Sequence, residues 1–397
     1  MLRFLAFLFA VSSFASAAQS AETWPETLAA SRGQTVFFNA WAGDPRINAY
    51  IEWAAEEVMK RYRVNLRHAK LNATSEAVSR VVAEKAAGKI SGGTVDLIWI
   101  NGENFAAMKQ NGLLYGPWVE RLPNWRYVDP VEQPAVATDF TVPVEGMEAP
   151  WSLAQIVFVY DEAHLAKPPR SAKALLGWAE ANPGRFTYPH VNNFLGTTFL
   201  KQVLYEVTSD VAELSRPASK DNFQKATEPL WSYLERLHPQ LWRRGQAFPE
   251  NGPAQRRLLA DGEIDLYVSY NPAEASLSIA SGDLPATARS VIWERGTIGN
   301  ASFLAIPFNA NARAGAMVAA DFLLSPEAQA KKQDPRVWGV STVLSLKRLE
   351  ADQRRRFVEL PVGIATLSPE ELGQALAEPH PTWMVKIAEA WKRRYNR

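Results

Sequence analysis

Hydrophobic positions in the amino-terminal third of the chain switch between two periods. Thr35–Ala40 (TVFFNA) is a nearly unbroken apolar run, which predicts a strand covered on both faces. Ile51, Ala54, Ala55, Val58, Met59 and Tyr62 then recur at i, i+3, i+4, i+7, i+8 and i+11, the spacing of a helix with one buried face. Val64, Leu66 and His68 alternate with polar residues, as in a second strand. Thr74 and Ser75 can cap a helix that turns Ala77, Val78, Val81, Val82 and Ala86 inward. Gly92-Gly93 ends that pattern before Val95–Ile100 (VDLIWI), a third buried strand. Strands alternating with helices predict a parallel α/β sheet with right-handed crossovers. Ligands of such sheets bind beyond the carboxyl ends of the strands, here Trp41–Asp44, Leu71–Ser75 and Asn101–Asn104.

Residues 117–150, rich in Pro and Trp and without a sustained period, read as a loop-like connection. Ser152–Tyr160 reads as one strand. Lys173–Glu180, Phe199–Glu206, Asn222–Leu237 and Pro253–Ala260 read as helices, and Asp265–Tyr270 as a strand. The small-residue strand Thr297–Pro307 precedes a helix at Arg313–Leu324, and about 345–397 is charged and helical with Pro breaks at 361, 369, 379 and 381.

The first 21 residues follow a different logic. Arg3 precedes an apolar run, Leu5 to Val11, and then Ala15-Ser16-Ala17. This is the order of a cleaved secretory signal peptide. The run is well short of the ~20 residues of a membrane span, and no Cys follows it for lipid attachment. Cleavage is expected to leave a mature start between Ala18 and Glu22 and an exported, periplasmic protein.

Composition removes several classes of function. The chain has 397 residues, beyond the length typical of one domain, with 43 Lys+Arg against 42 Asp+Glu. Loss of Arg3 with the leader leaves 42 basic and 42 acidic residues, and no basic block remains for nucleic-acid phosphates. Zero cysteines exclude thiol chemistry, disulfides and Cys-based metal sites, and none of the five His falls at H-x-x-x-H spacing. Motifs of the P-loop, dinucleotide-binding and nucleophile-elbow types are absent. No catalytic residue, metal ligand or cofactor is assigned. His164 and His190 lack motif context and read as capping or surface residues.

The run 297–333, TIGNASFLAIPFNANARAGAMVAADFLLSPEAQAKKQ, resembles the hinge strand and following helix of ABC-transporter substrate-binding proteins of extracellular solute-binding family 1. Residues 96–117 (DLIWINGENFAAMKQNGLLYGP) are similar to that family's third strand, ligand loop and turn. Residues 149–165 (APWSLAQIVFVYDEAHL) are similar to its first hinge strand. Within the family the sequence most resembles the YnjB-like branch, associated with thiamine-type import.

The resemblance implies an α/β protein with the two-lobed periplasmic-binding-protein fold (type 2), each lobe a central sheet flanked by helices, joined by hinge strands. One lobe would comprise 22–150 plus 303–345 and the other 152–300 plus 346–397. A small solute would be trapped between them and passed, by transient docking of a monomer, to an inner-membrane permease. The tandem tyrosines usual in ferric-ion binding by this fold are absent. The rival readings are an exported α/β hydrolase using dispersed residues, and a sensory binding protein.

Candidate ligand contacts lie in the loops that the sheet rule selects. Trp41 and Asp44 follow the first strand, though Trp41 can equally cap the core and Asp44 can start the next helix. Asn101, Glu103 and Asn104 follow the third strand, where a carboxylate also suits a helix amino terminus. Thr74 and Ser75 fit capping at least as well as contact. In the second lobe Asn192 and Asn193 precede a helix that one of them must cap. Tyr270, Asn271 and Glu274 share the loop after DLYVSY. Trp151 and Gln155 sit at one hinge, Gly299 and Asn300 at the other, and Trp338-Gly339 follows the last helix of the resemblance. Aromatic rings beside Asp44, Glu103 and Glu274, with only Arg46 of basic type in these loops, predict a cationic or amine-bearing solute, thiamine-like or polyamine-like.

Overall fold

The protein is described by a computed structural model covering residues 23–395. The expected leader lies outside the described residues. Among the described residues ten strands form: β1 Thr35–Trp41, β2 Asn65–Leu71, β3 Leu97–Ile100, β4 Thr138–Asp139, β5 Val142–Pro143, β6 Glu148–Gln155, β7 Val157–Asp161, β8 Leu266–Ser269, β9 Ala288–Val291 and β10 Gly299–Ala305.

The periodic segments fold as their patterns require. Asp44 caps the helix Pro45–Tyr62 by accepting from the Arg46 amide at 2.8 Å, and Pro45 occupies its first turn. Its Ile47, Tyr50, Ile51, Ala54 and Val58 are buried in one stripe. The parallel strands β2, β1 and β3 lie side by side, with Phe38 opposite both His68 and Leu97. Strand β10 continues this sheet antiparallel to β3, and β6 closes it, giving the order β2-β1-β3-β10-β6. Expectation and structure part at Phe37, which is 46 % exposed, so β1 is not covered along its whole length.

A second sheet has the order β8-β7-β9, antiparallel throughout. The run Ser152–Tyr160, read as one strand, is two. The break at Ile156 carries the chain from β6 in the first sheet to β7 in the second. The Ile156 amide donates to the Ile298 carbonyl at 2.9 Å, so both crossings run together. Ser152 Oγ and Ser302 Oγ meet at 2.7 Å on the paired strands, next to a bulge at Ser302/Phe303.

Each sheet has its own core, and the two α/β lobes follow from that. Around the first, buried residues run from Val36 to Trp151 and from Ala301 to Phe357. Around the second they run from Ile156 to Ile298 and from Ala365 to Trp391. The tail at 346–397, expected on the second lobe, divides its packing. Leu349 and Phe357 join the first core, whereas Trp383, Ile387 and Trp391 join the second.

Residues 117–150 hold more structure than a loop. Short 3-10 turns at Val119–Arg121, Pro123–Tyr127 and Pro134–Val136 lead into the hairpin β4–β5. Its two turn residues, Phe140 and Thr141, both have positive φ, 46° and 71°. A two-residue hairpin of this twist normally takes Asn or Gly at those positions, so the backbone here is strained, as backbones at functional sites often are.

Candidate functional site

Two polar clusters connect the lobes, and both begin at carboxyl ends of the first sheet's parallel strands. Beyond β1, the cap of the next helix sets Asp44 and Arg46 together. The Arg46 guanidinium donates to Asp44 Oδ1 at 3.1 Å and Oδ2 at 2.8 Å, and then reaches the second lobe at Glu274 Oε2, 3.0 Å away. Glu274 opens the helix Glu274–Ala280, and its other oxygen accepts from Arg256 Nη1 at 2.8 Å. Arg256 also lies 3.9 Å from Asp44. Two carboxylates and two guanidinium groups thus alternate across the inter-lobe boundary. Burial works against the Asp44 charge, but the hydrogen bonds and charge of Arg46 outweigh it and hold the carboxyl below its ordinary range.

The second cluster forms beyond β3. Gly102 has φ +61°, and a Cβ there would come within 2.9 Å of the Phe140 ring, so only glycine fits. The Gly102 amide donates to both oxygens of Asp139, at 2.8 and 2.7 Å, which ties the β4–β5 hairpin to the start of the helix Gly102–Gln110. Glu103 is the next residue, and its Oε1 accepts from Asn104 Nδ2 at 2.8 Å. From the second lobe, Lys201 projects out of the helix Phe194–Val207 with no solvent exposure and pairs with Glu378 at 2.5 Å. Glu378 Oε1 also accepts from Tyr270 Oη at 3.0 Å and Asn300 Nδ2 at 2.9 Å. The Lys201 ammonium lies 4.5 Å from the Phe140 ring centroid and 5.3 Å from that of Phe194, one ring from each lobe.

This cluster is unbalanced in charge. Glu103, Asp139 and Glu378 are three carboxyl groups around one ammonium. Burial pushes the Glu103 carboxyl above its ordinary range, with Lys201 opposing and Glu378 adding to the shift. Burial likewise drives Asp139 well above its range against the Gly102 amide, and Glu103 and Glu378 reinforce that. Glu103 Oε2 is buried with no hydrogen-bond partner. Behind Asp139, Glu148 on β6 is fully buried with both carboxyl oxygens unpartnered, and burial holds it well above its ordinary range too. A site of this kind gains from any donor or cation delivered to it, because an unpaired buried charge is costly.

The expected contacts distribute unevenly over these clusters. Asp44 and Glu274 meet in the first, Glu103, Asn104, Tyr270 and Asn300 in the second. Asn271 bridges the lobes elsewhere, donating to the Trp338 carbonyl at 2.8 Å. Gly339 passes so close to Ala273 that a Cβ on it would stand 2.5 Å from the alanine's. Trp41 is half-buried, with its ring folded over Gly43, and packs on the first core. Asn101 holds the cap position of its helix without a side-chain capping bond. Asn193 caps its helix, accepting from the Leu195 amide at 3.0 Å, while Asn192 is exposed.

Trp151 is fully buried in the first core, its centroid 5.0 Å from that of Trp99 and 5.2 Å from that of Trp338. Its carbonyl accepts from Gln329 Nε2 at 3.0 Å and from the Lys332 ammonium. Gln155 donates to Thr297 Oγ1 at 3.2 Å and the Leu372 carbonyl at 3.0 Å, holding the hinge. Thr74 Oγ1 donates to the Trp99 carbonyl at 3.2 Å, and Ser75 is exposed.

The acids of these loops face more basic groups than the loops themselves contain. Arg46 is not the only basic group facing those acids. Arg256 arrives from a helix interior, and Asp44 and Glu274 are already compensated by it and Arg46. Lys201, Glu378, Asp139 and Phe140 also escaped the sequence reading. The one signal for Lys201 was a lysine among the apolar positions of a helix. Asp139 and Phe140 had a recognisable neighbourhood only once the hairpin was known.

The profile of the bacterial extracellular solute-binding proteins matches residues 53–344. The chain is 44 % identical to the protein YnjB of Escherichia coli (strain K12) over 395 residues, covering 100 % of both. Among solved structures it is similar to the periplasmic binding protein AfuA from Actinobacillus pleuropneumoniae with exogenous fructose-6-phosphate bound, at TM-score 0.64 and 14 % identity, covering 91 % of this chain and 99 % of that one. It is similar also to the spermidine/putrescine ABC transporter substrate-binding protein PotD from Streptococcus pneumoniae, at TM-score 0.59 and 14 % identity, covering 92 % and 100 %.

Proposed function

The chain belongs to the bacterial extracellular solute-binding protein family, and we propose that it captures a cationic, amine-bearing solute between its lobes for an ABC importer. Closure of the two lobes over the solute, by bending at the strands around Gln155 and Gly299, would present the closed form to a membrane permease. The observation that carries the charge of the solute is the inter-lobe cluster of Glu103, Asp139 and Glu378 around the single ammonium of Lys201. An ammonium group brought to Glu103 Oε2 pairs a buried oxygen that otherwise has no partner. The faces of Phe140 and Phe194 add cation–π attraction of ~0.5–2 kcal/mol each. An anion would add a like charge to a buried acidic surplus.

This places the argument for a cation on Glu103, Asp139 and Glu378, not on Asp44 and Glu274. The spermidine/putrescine name of the Streptococcus pneumoniae neighbour agrees with it, and the sugar-phosphate neighbour marks how widely ligands vary on this fold. Polyamine-like and thiamine-like compounds are the two cation types to test first.

A thermal-shift screen of thiamine, its phosphates, polyamines, choline-type cations, sugars and organic acids tests the reading. Stabilisation by a cation without turnover, together with a smaller radius of gyration in solution scattering, is expected. Stabilisation by a sugar or an organic acid alone overturns the cationic solute, and hydrolysis of any stabilising compound overturns the binding role. For an exported monomer, amino-terminal sequencing of periplasmic protein should find a start between Ala18 and Glu22, and an intact Met1 would remove the leader from the account.

A further inference from the structure

Two buried polar atoms at the inter-lobe boundary have no hydrogen-bond partner, and they are opposite in kind. Glu103 Oε2 is an acceptor and Arg46 Nη1 is a donor. Each sits in an otherwise well-bonded side chain. Glu103 uses its other oxygen for Asn104, and Arg46 uses Nε and Nη2 for Asp44 and Glu274. A buried donor or acceptor left unsatisfied costs free energy, and native structures rarely leave one without a reason. The two residues follow β3 and β1, which are adjacent and parallel with Asn39 opposite Ile98. Neighbouring strands lie about 4.8 Å apart, so their carboxyl-terminal loops emerge side by side, where ligands of such sheets bind.

Resting on the reading of this boundary as the solute site, we propose that the solute is two-ended. Its ammonium group binds Glu103, and a hydrogen-bond-accepting oxygen, as in a carboxylate, phosphate or carbonyl, binds Arg46. The surroundings grade the two ends in the right sense. Around Glu103 stand Asp139, Glu378 and Lys201, a net acidic set. Arg46 is itself one of the bases of the other set: the buried Asp44 and Glu274 are matched by Arg46 and Arg256, with the exposed Asp283 3.7 Å from Arg256, whereas Glu103 adds a further acid to its own set. The spare N–H groups of Arg46 therefore belong to a set in which two buried carboxylates are matched by two guanidinium groups, and they can donate to an oxygen without displacing either carboxylate. A solute carrying cations at both ends would leave Nη1 unpaired and meet like charge there.

Three probes of matched length separate the ends: 4-aminobutanoate, 1,4-diaminobutane and succinate, titrated calorimetrically into the full chain. 4-Aminobutanoate is expected to bind at least about tenfold more tightly than either of the others, the usual worth of one charged hydrogen bond. Glu103→Gln and Arg46→Lys should each weaken it by about tenfold or more, with the apo melting temperature moved by no more than about 2 °C. Arg46→Lys retains the positive charge beside Asp44 and Glu274 and removes the fork. Diaminobutane binding as tightly as the amino acid overturns the acceptor end and leaves a purely cationic solute standing. Succinate binding as tightly overturns the ammonium end and the cationic reading with it. Response to none of the three overturns the two-ended site, while compaction in scattering with another cation from the screen would keep the importer reading. If Glu103→Gln does not fold, the ranking of the three probes on the wild-type protein decides.

Discussion

The two inter-lobe clusters use the same residue types to different ends. At Asp44, Arg46, Glu274 and Arg256 each charge has an opposite neighbour within 3.0 Å, and the pairs join the lobes directly. At Glu103, Asp139, Glu378 and Lys201 three carboxyl groups share one ammonium. The first arrangement is a clasp. The second is incomplete, and burial makes Glu103 and Asp139 hold protons more firmly than usual. A balanced cluster closes a boundary, and an unbalanced one selects what enters it.

Breaking the single cation of the unbalanced cluster should have the largest effect. Lys201→Met leaves Glu378 buried beside two further acids and should cost about 3–5 kcal/mol in urea unfolding. A loss below about 1 kcal/mol would mean that Lys201 does not carry the charge of that cluster. Glu103→Gln should act in the opposite direction on the apo protein. Because its carboxyl titrates above the unfolded value, the native state binds that proton more tightly, and stability from this group falls as pH rises from the unfolded value towards the folded one. The Gln variant should flatten that fall in a melting series across pH 4 to 8, and should bind the cationic solute about tenfold or more weakly. A steeper fall with pH in the variant would contradict the assignment.

The clasp should respond more gently. Glu274→Gln should cost about 1–2 kcal/mol and enlarge the radius of gyration as the lobes separate. The wild-type radius should rise only slightly with salt, since Asp44, Glu274 and Arg256 are buried and only the rim of the clasp at Arg46 and Asp283 is open to screening. An unchanged radius in both experiments would remove the clasp from closure. Smallest of all, Asn193→Ala should cost about 1 kcal/mol through its lost cap and leave solute affinity unchanged. A loss of affinity there would extend the site beyond both clusters.

Much of this architecture was legible in the chain, and the part that was not has a physical reason. The first three strands and their helices follow periods of 2 and 3.6 that packing enforces, so Thr35–Trp41, Pro45–Tyr62 and Leu97–Ile100 were readable locally. The division at Ile156 was not, since β6 and β7 are both apolar and only pairing with different sheets separates them. Asp44, Glu103, Tyr270 and Glu274 were singled out because ligand loops follow strand ends, and they lie in the two inter-lobe clusters. Lys201, Arg256 and Glu378 were missed because they approach from two helices and the tail, separated in sequence from their partners Glu378 and Glu274 by up to 177 positions. Their importance lies in compensating charge, which no local pattern records. Trp151 shows the converse. Its place beside a hinge suggested ligand contact, yet its ring lies wholly within the first core.

In the proposed role, the acidic surplus at Glu103, Asp139 and Glu378 receives a cation. Protons compete for the same carboxyl groups, so the most direct measurement is the calorimetric affinity of the best amine-bearing solute at pH 5 and at pH 8. Burial raises Glu103 and Asp139 above their ordinary range, so a larger share of both is protonated at pH 5. Binding should therefore be tighter at pH 8, with release of protons on binding at pH 5. Equal affinity at the two pH values, or tighter binding at pH 5, would contradict it.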